Sequence, residues 1–245
     1  MNILVCVSAV PDTTTKITFV DNNTKFNSEG VQFIINPYDE LALTKALELT
    51  EAQGGEVVVV TVGEATTEPI IRKALAIGAH KAIRVNTKAM DGMHVAKAIA
   101  SAIEGQSFDL VMTGRESIDY NGGQVAGLLS ELLGFGLINV VTEISVDGNS
   151  IVATRDIDGG RETVSCPMPC VVSAQKDLCE PRIPNMRGIM QARSKPMEVV
   201  EYDQEYNDVT YESYELPAAK GGVKLIDASN AEELIDLLRT EKKLF

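Results

Sequence analysis

Four apolar runs, evenly interleaved with helical patterns, constrain this chain more than any other feature. Asn2–Val7 (NILVCV), Glu56–Val62 (EVVVVTV), Lys81–Val85 (KAIRV) and Phe108–Thr113 (FDLVMT) are short, continuous and mostly apolar. A strand buried on both faces has this form, because neither side of its pleat meets water. Between the first two runs, Leu41, Ala42, Ala46, Leu49 and Ala52 recur at helical spacing, after the Asn36-Pro37 break and before Gly54-Gly55. Further helical stretches cover about Thr67–Ile77, Met93–Ile103 and Gln124–Leu133. Strands that alternate with helices of this length predict βαβ units and a parallel sheet. Before the first helix, Lys16–Val20 and Val31–Ile35 read as short strands around an Asp21-Asn22-Asn23 turn.

The rhythm changes after Ile138. Val140–Val146, Ser150–Arg155, Glu162–Ser165 and Cys170–Ala174 read as strands joined at Asp147-Gly148-Asn149 and Asp158-Gly159-Gly160. They predict an antiparallel excursion that returns to the sheet edge. A run rich in Glu, Asp and Tyr from about Glu198 to Glu215 has neither helical nor alternating periodicity and reads as extended. Asn230–Leu238 is amphipathic, with Leu234, Leu237 and Leu238 on one side. The expected fold class is therefore α/β: a Rossmann-like parallel sheet with flanking helices, an antiparallel excursion and a C-terminal arm. Residues 1–195 form the expected nucleotide-binding domain and 196–245 the arm.

Composition removes several functions. A net charge of −13 opposes broad binding to nucleic acid or anionic lipid, and the absence of Trp leaves little for stacking on bases. No apolar run approaches the roughly 20 residues that span a bilayer. MNILVCVSAV lacks the basic flank and cleavage site of a signal peptide, so a soluble, cytoplasmic protein is expected. Cys6, Cys166, Cys170 and Cys179 contain no CxxC pair, and the histidines are His80 and His94 alone, so no metal site is expected. The GxSxG elbow, the GxGxxG fingerprint and the Walker loop are all missing.

Residues 114–125 (GRESIDYNGGQV) follow the fourth run and lead into a helix. In an open parallel sheet, ligands bind beyond the carboxyl ends of the strands, and a helix start offers unpaired N–H groups to a phosphate. Loops after Val7, at Asn36-Pro37, at Gly63 and at 114–125 leave such ends and can converge on one crevice. Gly114, Gly122 and Gly123 permit close backbone approach, while Ser117 and Asn121 add donors. The stretch is either an adenine-nucleotide cradle, with phosphates at the Gln124 helix start, or a Gly-rich connection. Asp119 is the one candidate base nearby, and an Asp in a turn commonly bonds its own backbone. Binding without turnover is the expectation.

Several segments, in order, then coincide with one family. VCVSAVPDTT, INPYDELAL, GRESIDYNGGQV, RDIDGGRE with PMPCVVSA, EPRIPNMRGIMQAR and GGVKLIDASNAEELIDLL resemble the beta subunit of electron transfer flavoprotein over nearly the whole chain. The IDGG-x-E and EPR-x5-GIM-x-A-[RK] segments are the specific ones. The resemblance implies an obligate heterodimer with an alpha subunit that carries most of a redox FAD. Such a heterodimer shuttles electrons from flavin dehydrogenases, acyl-CoA dehydrogenases among them, to a quinone reductase. This chain would be a carrier subunit, without turnover of its own.

Carried onto this sequence, the nucleotide contacts are Cys6, Asn36, Val62 and the run Gly114, Arg115, Glu116, Ser117, Ile118, Asp119, Tyr120, Asn121, Gly122, Gly123, Gln124 and Val125. The implied occupant is AMP, or a second FAD in electron-bifurcating relatives that oxidise NADH. Asp12 and Thr13 fall at the flavin interface. Residues 180–193 match the loop that docks partner dehydrogenases, with Met186 where relatives carry Leu, and Asp156 stands where some carry a Glu that pairs with the alpha subunit. The terminal helix is expected to pack on that subunit. Ser8 replaces a usual Lys or Arg, Ser173 a usual Ala, Thr or Cys, and Ala126 a usual Gly. The remote alternative is a stress-type nucleotide-binding module of related fold.

Overall fold

The computed structural model describes residues 1–206 and 208–244; Asn207 and Phe245, both within the segment read as an arm, lie outside the described residues. The chain opens with β1 (Asn2–Cys6), followed by β2 (Ala9–Pro11), β3 (Phe19–Val20), β4 (Lys25–Phe26) and β5 (Phe33–Ile35). Next come α1 (Pro37–Gln53), β6 (Glu56–Val62), a 3-10 turn, α2 (Glu68–Ile77) and β7 (Lys81–Asn86). Then follow α3 (Gly92–Ala102), β8 (Leu110–Gly114), α4 (Val125–Leu133), β9 (Gly136–Asp147), β10 (Ser150–Ile157), β11 (Gly160–Pro167) and β12 (Cys170–Ala174). The last elements are α5 (Met186–Ala192), β13 (Met197–Glu201) and α6 (Ala231–Thr240).

A nine-stranded sheet in the order β11-β10-β9-β12-β8-β1-β6-β7-β13 carries the fold. Every pairing from β9 through to β13 is parallel; β10 and β11 are antiparallel additions. The continuous apolar runs are explained by two cores, one on each face. Ile3, Val5, Val57, Val59, Leu110 and Met112 pack towards one face, with residues of α1 and α2. Their neighbours Leu4, Cys6, Val58, Val60 and Val111 pack towards the other, with residues of α3 and α4. Each pleat is buried on both sides, so alternation vanishes from the sequence.

The chain divides into two units. One comprises Met1–Thr18 and Asn27–Tyr211 and holds the nine-stranded sheet; the other comprises Phe19–Phe26 and the chain from Glu212 onward. In the second, β3 and β4 form a hairpin whose turn residues Asp21, Asn22 and Asn23 all have positive φ. Phe19 stacks on Tyr214 with ring centroids 5.0 Å apart, and the Tyr214 N–H donates to the Asn23 carbonyl at 2.7 Å. None of α6 is buried among the described residues of the chain, and Leu234 and Ile235 are exposed.

Three features differ from the sequence expectation. Val31–Ile35 does not pair across the Asp21 turn; β5 pairs with β2, and the turn joins β3 to β4. The excursion is antiparallel, but its return strand β12 enters between β8 and β9 and leaves β11 at the edge. Along β11 half-buried residues alternate with exposed ones, as on an edge strand, whereas all five residues of β12 are buried. Finally, Met197–Glu201, read from sequence as the start of the arm, is β13, the opposite edge strand, in register with Ala82–Asn86.

Candidate nucleotide crevice and its surroundings

Strand order locates the crevice. From β1 the chain builds outward through β6 and β7, then returns to place β8 on the other side of β1, so the topological switch lies between β1 and β8. Ligands of open α/β sheets bind at such a point, beyond the carboxyl ends. Cys6 ends β1, Gly114 ends β8 and Val62 ends β6, on three adjacent strands. Cys6 is buried, Val62 and Gly114 half-buried. Burial pushes the Cys6 thiol far above its ordinary range, with the nearby Asp39 carboxylate adding to the effect.

Asn36, almost fully buried, joins the loop after β1 to the loop after β8. Its backbone N–H donates to the Ser8 carbonyl at 3.0 Å. Its side chain reaches the loop: Nδ2 donates to the Glu116 carbonyl at 2.8 Å and Oδ1 accepts from the Ile118 N–H at 3.4 Å. So Asn36 positions the loop rather than offering its amide freely to a ligand. Three residues on, Asp39 is buried in the first turn of α1. Oδ2 accepts from the Ser8 N–H at 2.8 Å and from Ser8 Oγ at 2.6 Å, and Oδ1 from the Gly114 N–H at 2.9 Å. Desolvation lifts this carboxyl to about 6, against the downward pull of those hydrogen bonds. No sequence pattern marked Asp39, since an acidic residue in a first helical turn is ordinary complementarity to the helix dipole. The Lys or Arg expected in place of Ser8 is thus replaced by a neutral donor for a buried acid.

Beyond Gly114 the loop has internal structure. Arg115 donates its N–H to the Ala174 carbonyl at 2.9 Å, and its guanidinium reaches Gln175 and Glu116 and lies over the Tyr38 ring. Ser117 and Gly122 exchange two backbone hydrogen bonds, of 3.0 and 3.2 Å, folding the segment into a small antiparallel loop. Within it the Ser117 hydroxyl bonds the Asp119 carboxylate, which also accepts from the Tyr120 N–H at 3.0 Å. Asp119 therefore bonds its own turn. Asn121 takes positive φ (55°), and Tyr120 is exposed.

The exchange with Ser117 occupies the Gly122 N–H. Gly122 therefore does not offer its N–H to a ligand, and the donors at the start of α4 are those of Gly123, Gln124 and Val125. The first helical bond runs from the Leu128 N–H to the Gln124 carbonyl, and the Gln124 side chain makes no cap. Gly123 is exposed, and a Cβ there would lie 3.2 Å from the Arg115 carbonyl oxygen. A helix start without a side-chain cap, entered through a residue with no side chain, fits a phosphate.

The remaining positions lie on other elements. Asp12 Oδ1 accepts from the Thr14 N–H and Oγ1, which holds its carboxyl below the ordinary range, and Thr13 is exposed beside it. Asp156 on β10 pairs with Arg161 of β11, with Nε 3.1 Å from Oδ1. Met186 begins α5 and is 74 % exposed, near Ile183 and Met190. Both imidazoles accept backbone N–H groups through Nδ1: His80 from Val57 at 3.0 Å and His94 from Met90 at 3.3 Å. Among the described residues no helix is long and apolar enough to cross a membrane.

These elements define a doubly wound, Rossmann-like α/β protein, the class whose ligands bind at the switch point. Comparison with known proteins narrows this. Residues 24–205 match the family described as "Electron transfer flavoprotein domain". The chain is similar to the electron transfer flavoprotein subunit beta of Bacillus subtilis (strain 168), at 36% identity over 259 aligned positions covering 100% of each chain. The Syntrophomonas wolfei subunit beta is also 36% identical, over 93% of this chain and 90% of its own. That of Bradyrhizobium diazoefficiens is 32% identical over 98% of each. The chain belongs to the electron transfer flavoprotein beta-subunit family, and electron transfer with an alpha-subunit partner is what that membership implies.

Proposed function

We propose that this chain is the beta half of a cytoplasmic heterodimeric carrier. The heterodimer takes electrons from flavin dehydrogenases, acyl-CoA dehydrogenases among them, through an FAD shared with the alpha subunit, and delivers them to a quinone reductase. In its own crevice the chain holds AMP. The observation that carries the crevice assignment is the uncapped start of α4 behind Gly123, next to the β1/β8 switch.

Bound FAD supplies the redox chemistry; the chain supplies binding and orientation. Gly123, Gln124 and Val125 would hold the phosphate with backbone N–H groups, and Cys6 and Val62 would line the adenosine side at the strand ends. Asn36 fixes the loop through Glu116 and Ile118. Asp12 and Thr13 would face the flavin, and the Thr14 hydrogen bonds hold the Asp12 carboxylate ionised. Met186 would be the docking residue, and Asp156 a carboxylate available to the alpha subunit on exchange of its Arg161 partner. The terminal helix α6, with Leu234 and Ile235 exposed, would pack on that subunit.

The test is a cofactor count on the purified heterodimer, by absorbance and by chromatography of the heat-released nucleotides. One FAD and one AMP per heterodimer is the expected result. Two FAD and no AMP would replace this reading with that of an electron-bifurcating, NADH-oxidising complex.

A further inference from the structure

The seven residues of α5 are too few to hold a helix in water, so the orientation of Met186 must come from outside the helix. The neighbouring helix α2 provides it through reciprocal hydrogen bonds. Lys195, three residues beyond α5, extends its Nζ to the carbonyl oxygens of Leu75 (2.9 Å), Gly78 (3.3 Å) and Ala79 (2.6 Å), at the C-terminal end of α2. An ammonium has three donors, and all three are matched here to carbonyls that the helix end leaves open. In the other direction, Arg72 of α2 donates from one guanidinium nitrogen to the carbonyls of Ala192 and Lys195, both at 2.8 Å.

The two helices also meet backbone to backbone. A Cβ on Gly188 would lie 2.4 Å from the Ala76 carbonyl oxygen, so no larger residue fits without separating them. Upstream, the Arg182 guanidinium holds Glu51 of α1 at 2.7 and 3.0 Å, and its N–H donates to Thr44 Oγ1 at 3.0 Å. The segment is thus tied at both ends. Between the ties, Ile183, Met186 and Met190 are 86, 74 and 70 % exposed, while Ala192 alone in α5 is buried.

We propose that Lys195 and Arg72 are positioning residues for partner docking, clamping α5 against α2 so that Ile183, Met186 and Met190 are presented together to an incoming dehydrogenase. The proposal rests on the docking role assigned to this segment. Methionines adapt to irregular pockets, so the side chains supply tolerance while the clamp supplies their placement.

The experiment uses the intact heterodimer with Lys195→Met, Arg72→Met and, as a separate arm, Met186→Ala. Two quantities are read: deuterium exchange of the amides of residues 186–192, and reduction of the bound flavin. The reductant is either an acyl-CoA dehydrogenase kept reduced by its acyl-CoA or dithionite, which needs no docking. In both clamp variants exchange accelerates about tenfold or more, and the KM for the dehydrogenase rises about tenfold with kcat nearly unchanged. Dithionite reduction stays at the wild-type rate, and Lys195→Arg restores part of the KM. If Met186→Ala raises KM but neither clamp variant alters exchange or KM, the clamp is wrong and docking stands. An unchanged KM in Met186→Ala sinks the docking role itself, and the proposal with it. Should Lys195→Met not assemble, Arg72→Met gives the same two readings from the other side of the clamp.

Discussion

Asp39 and Gly114 are joined by a hydrogen bond of 2.9 Å from the Gly114 N–H to Asp39 Oδ1, while the other carboxylate oxygen is held by Ser8. One buried acid thus links the carboxyl ends of β1 and β8, the two strands between which the crevice opens. All its partners are neutral donors, and burial raises its folded pKa to about 6 from 3.8. A raised folded value means the native state binds the proton more tightly than the unfolded chain does. Between pH about 4 and about 6, stability therefore falls as pH rises. The difference is worth at most about 3 kcal/mol. Asp39→Asn should remove this slope, at the cost of a misdirected amide against the Ser8 N–H. Thermal unfolding of the heterodimer at pH 4.5 and pH 7.5 checks it: the wild type should lose more ground than the variant over that interval.

Gly123 is where the crevice assignment is most exposed to test. A β-branched side chain there would stand at the open start of α4 and press on the Arg115 carbonyl. Gly123→Val should lower the affinity for the crevice nucleotide by about tenfold or more, equivalent to about 1.4 kcal/mol. The redox FAD should be retained in full. AMP and FAD released from variant and wild-type heterodimers are counted separately; equal AMP contents would place the phosphate elsewhere.

Why some of this was visible in the sequence and some not has physical reasons. Strands such as Glu56–Val62 are legible because burial on both faces leaves an unbroken apolar run that only a central strand needs. The edge strand β13 (MEVVE) has only Met197 and Val200 half-buried, one against each core, and sits before a polar stretch, so nothing in its pattern separates it from the arm. The partner of β5 was misread for a related reason: a three-residue strand carries no record of which neighbour it pairs with. The Gly-rich loop was found from its place after β8, yet the loss of the Gly122 donor to Ser117 depends on a turn that the residues alone do not specify. Asp39 and Lys195 do their work through long-range hydrogen bonds to backbone groups, which leave no periodic trace.

Gly114→Ala tests the packing of the crevice floor independently of any ligand. The added Cβ would stand 2.4 Å from Asp39 Oδ1, 2.7 Å from Tyr38 Cβ and 3.0 Å from the Asp39 nitrogen. The start of α1 is fixed by Asn36 and Ser8, so none of the three atoms can retreat without straining those hydrogen bonds. Overpacking of this kind costs about 1–3 kcal/mol. The thermal midpoint should drop by several degrees, and the nucleotide content of the heterodimer should fall with it. A midpoint equal to wild type would show that α1 yields more easily than this geometry allows.

His94 should make the attachment of the segment after β13 sensitive to acid. Its ring is buried, with Nδ1 accepting the Met90 N–H, and it packs against Tyr202 and Tyr206 at centroid distances of 5.6 and 4.8 Å. The groups that face it are Asp91, Lys97, Tyr202 and Tyr206, and Tyr206 also donates its hydroxyl to Asp91 at 2.6 Å. Burial holds the imidazole below its ordinary value; Asp91 opposes that shift and Lys97 reinforces it. A depressed folded pKa means that the unfolded chain binds the proton more readily, so stability is present above pH 6.5 and lost as pH falls through the folded value. Protonated Nδ1 would also point a donor at the Met90 N–H. Deuterium exchange of residues 202–206, corrected for the intrinsic pH dependence, should therefore quicken between pH 7.5 and pH 5. His94→Gln presents an oxygen to the same N–H without titrating, and should exchange equally at both values. The same acceleration in that variant would assign the effect to Asp91 and Tyr206 instead.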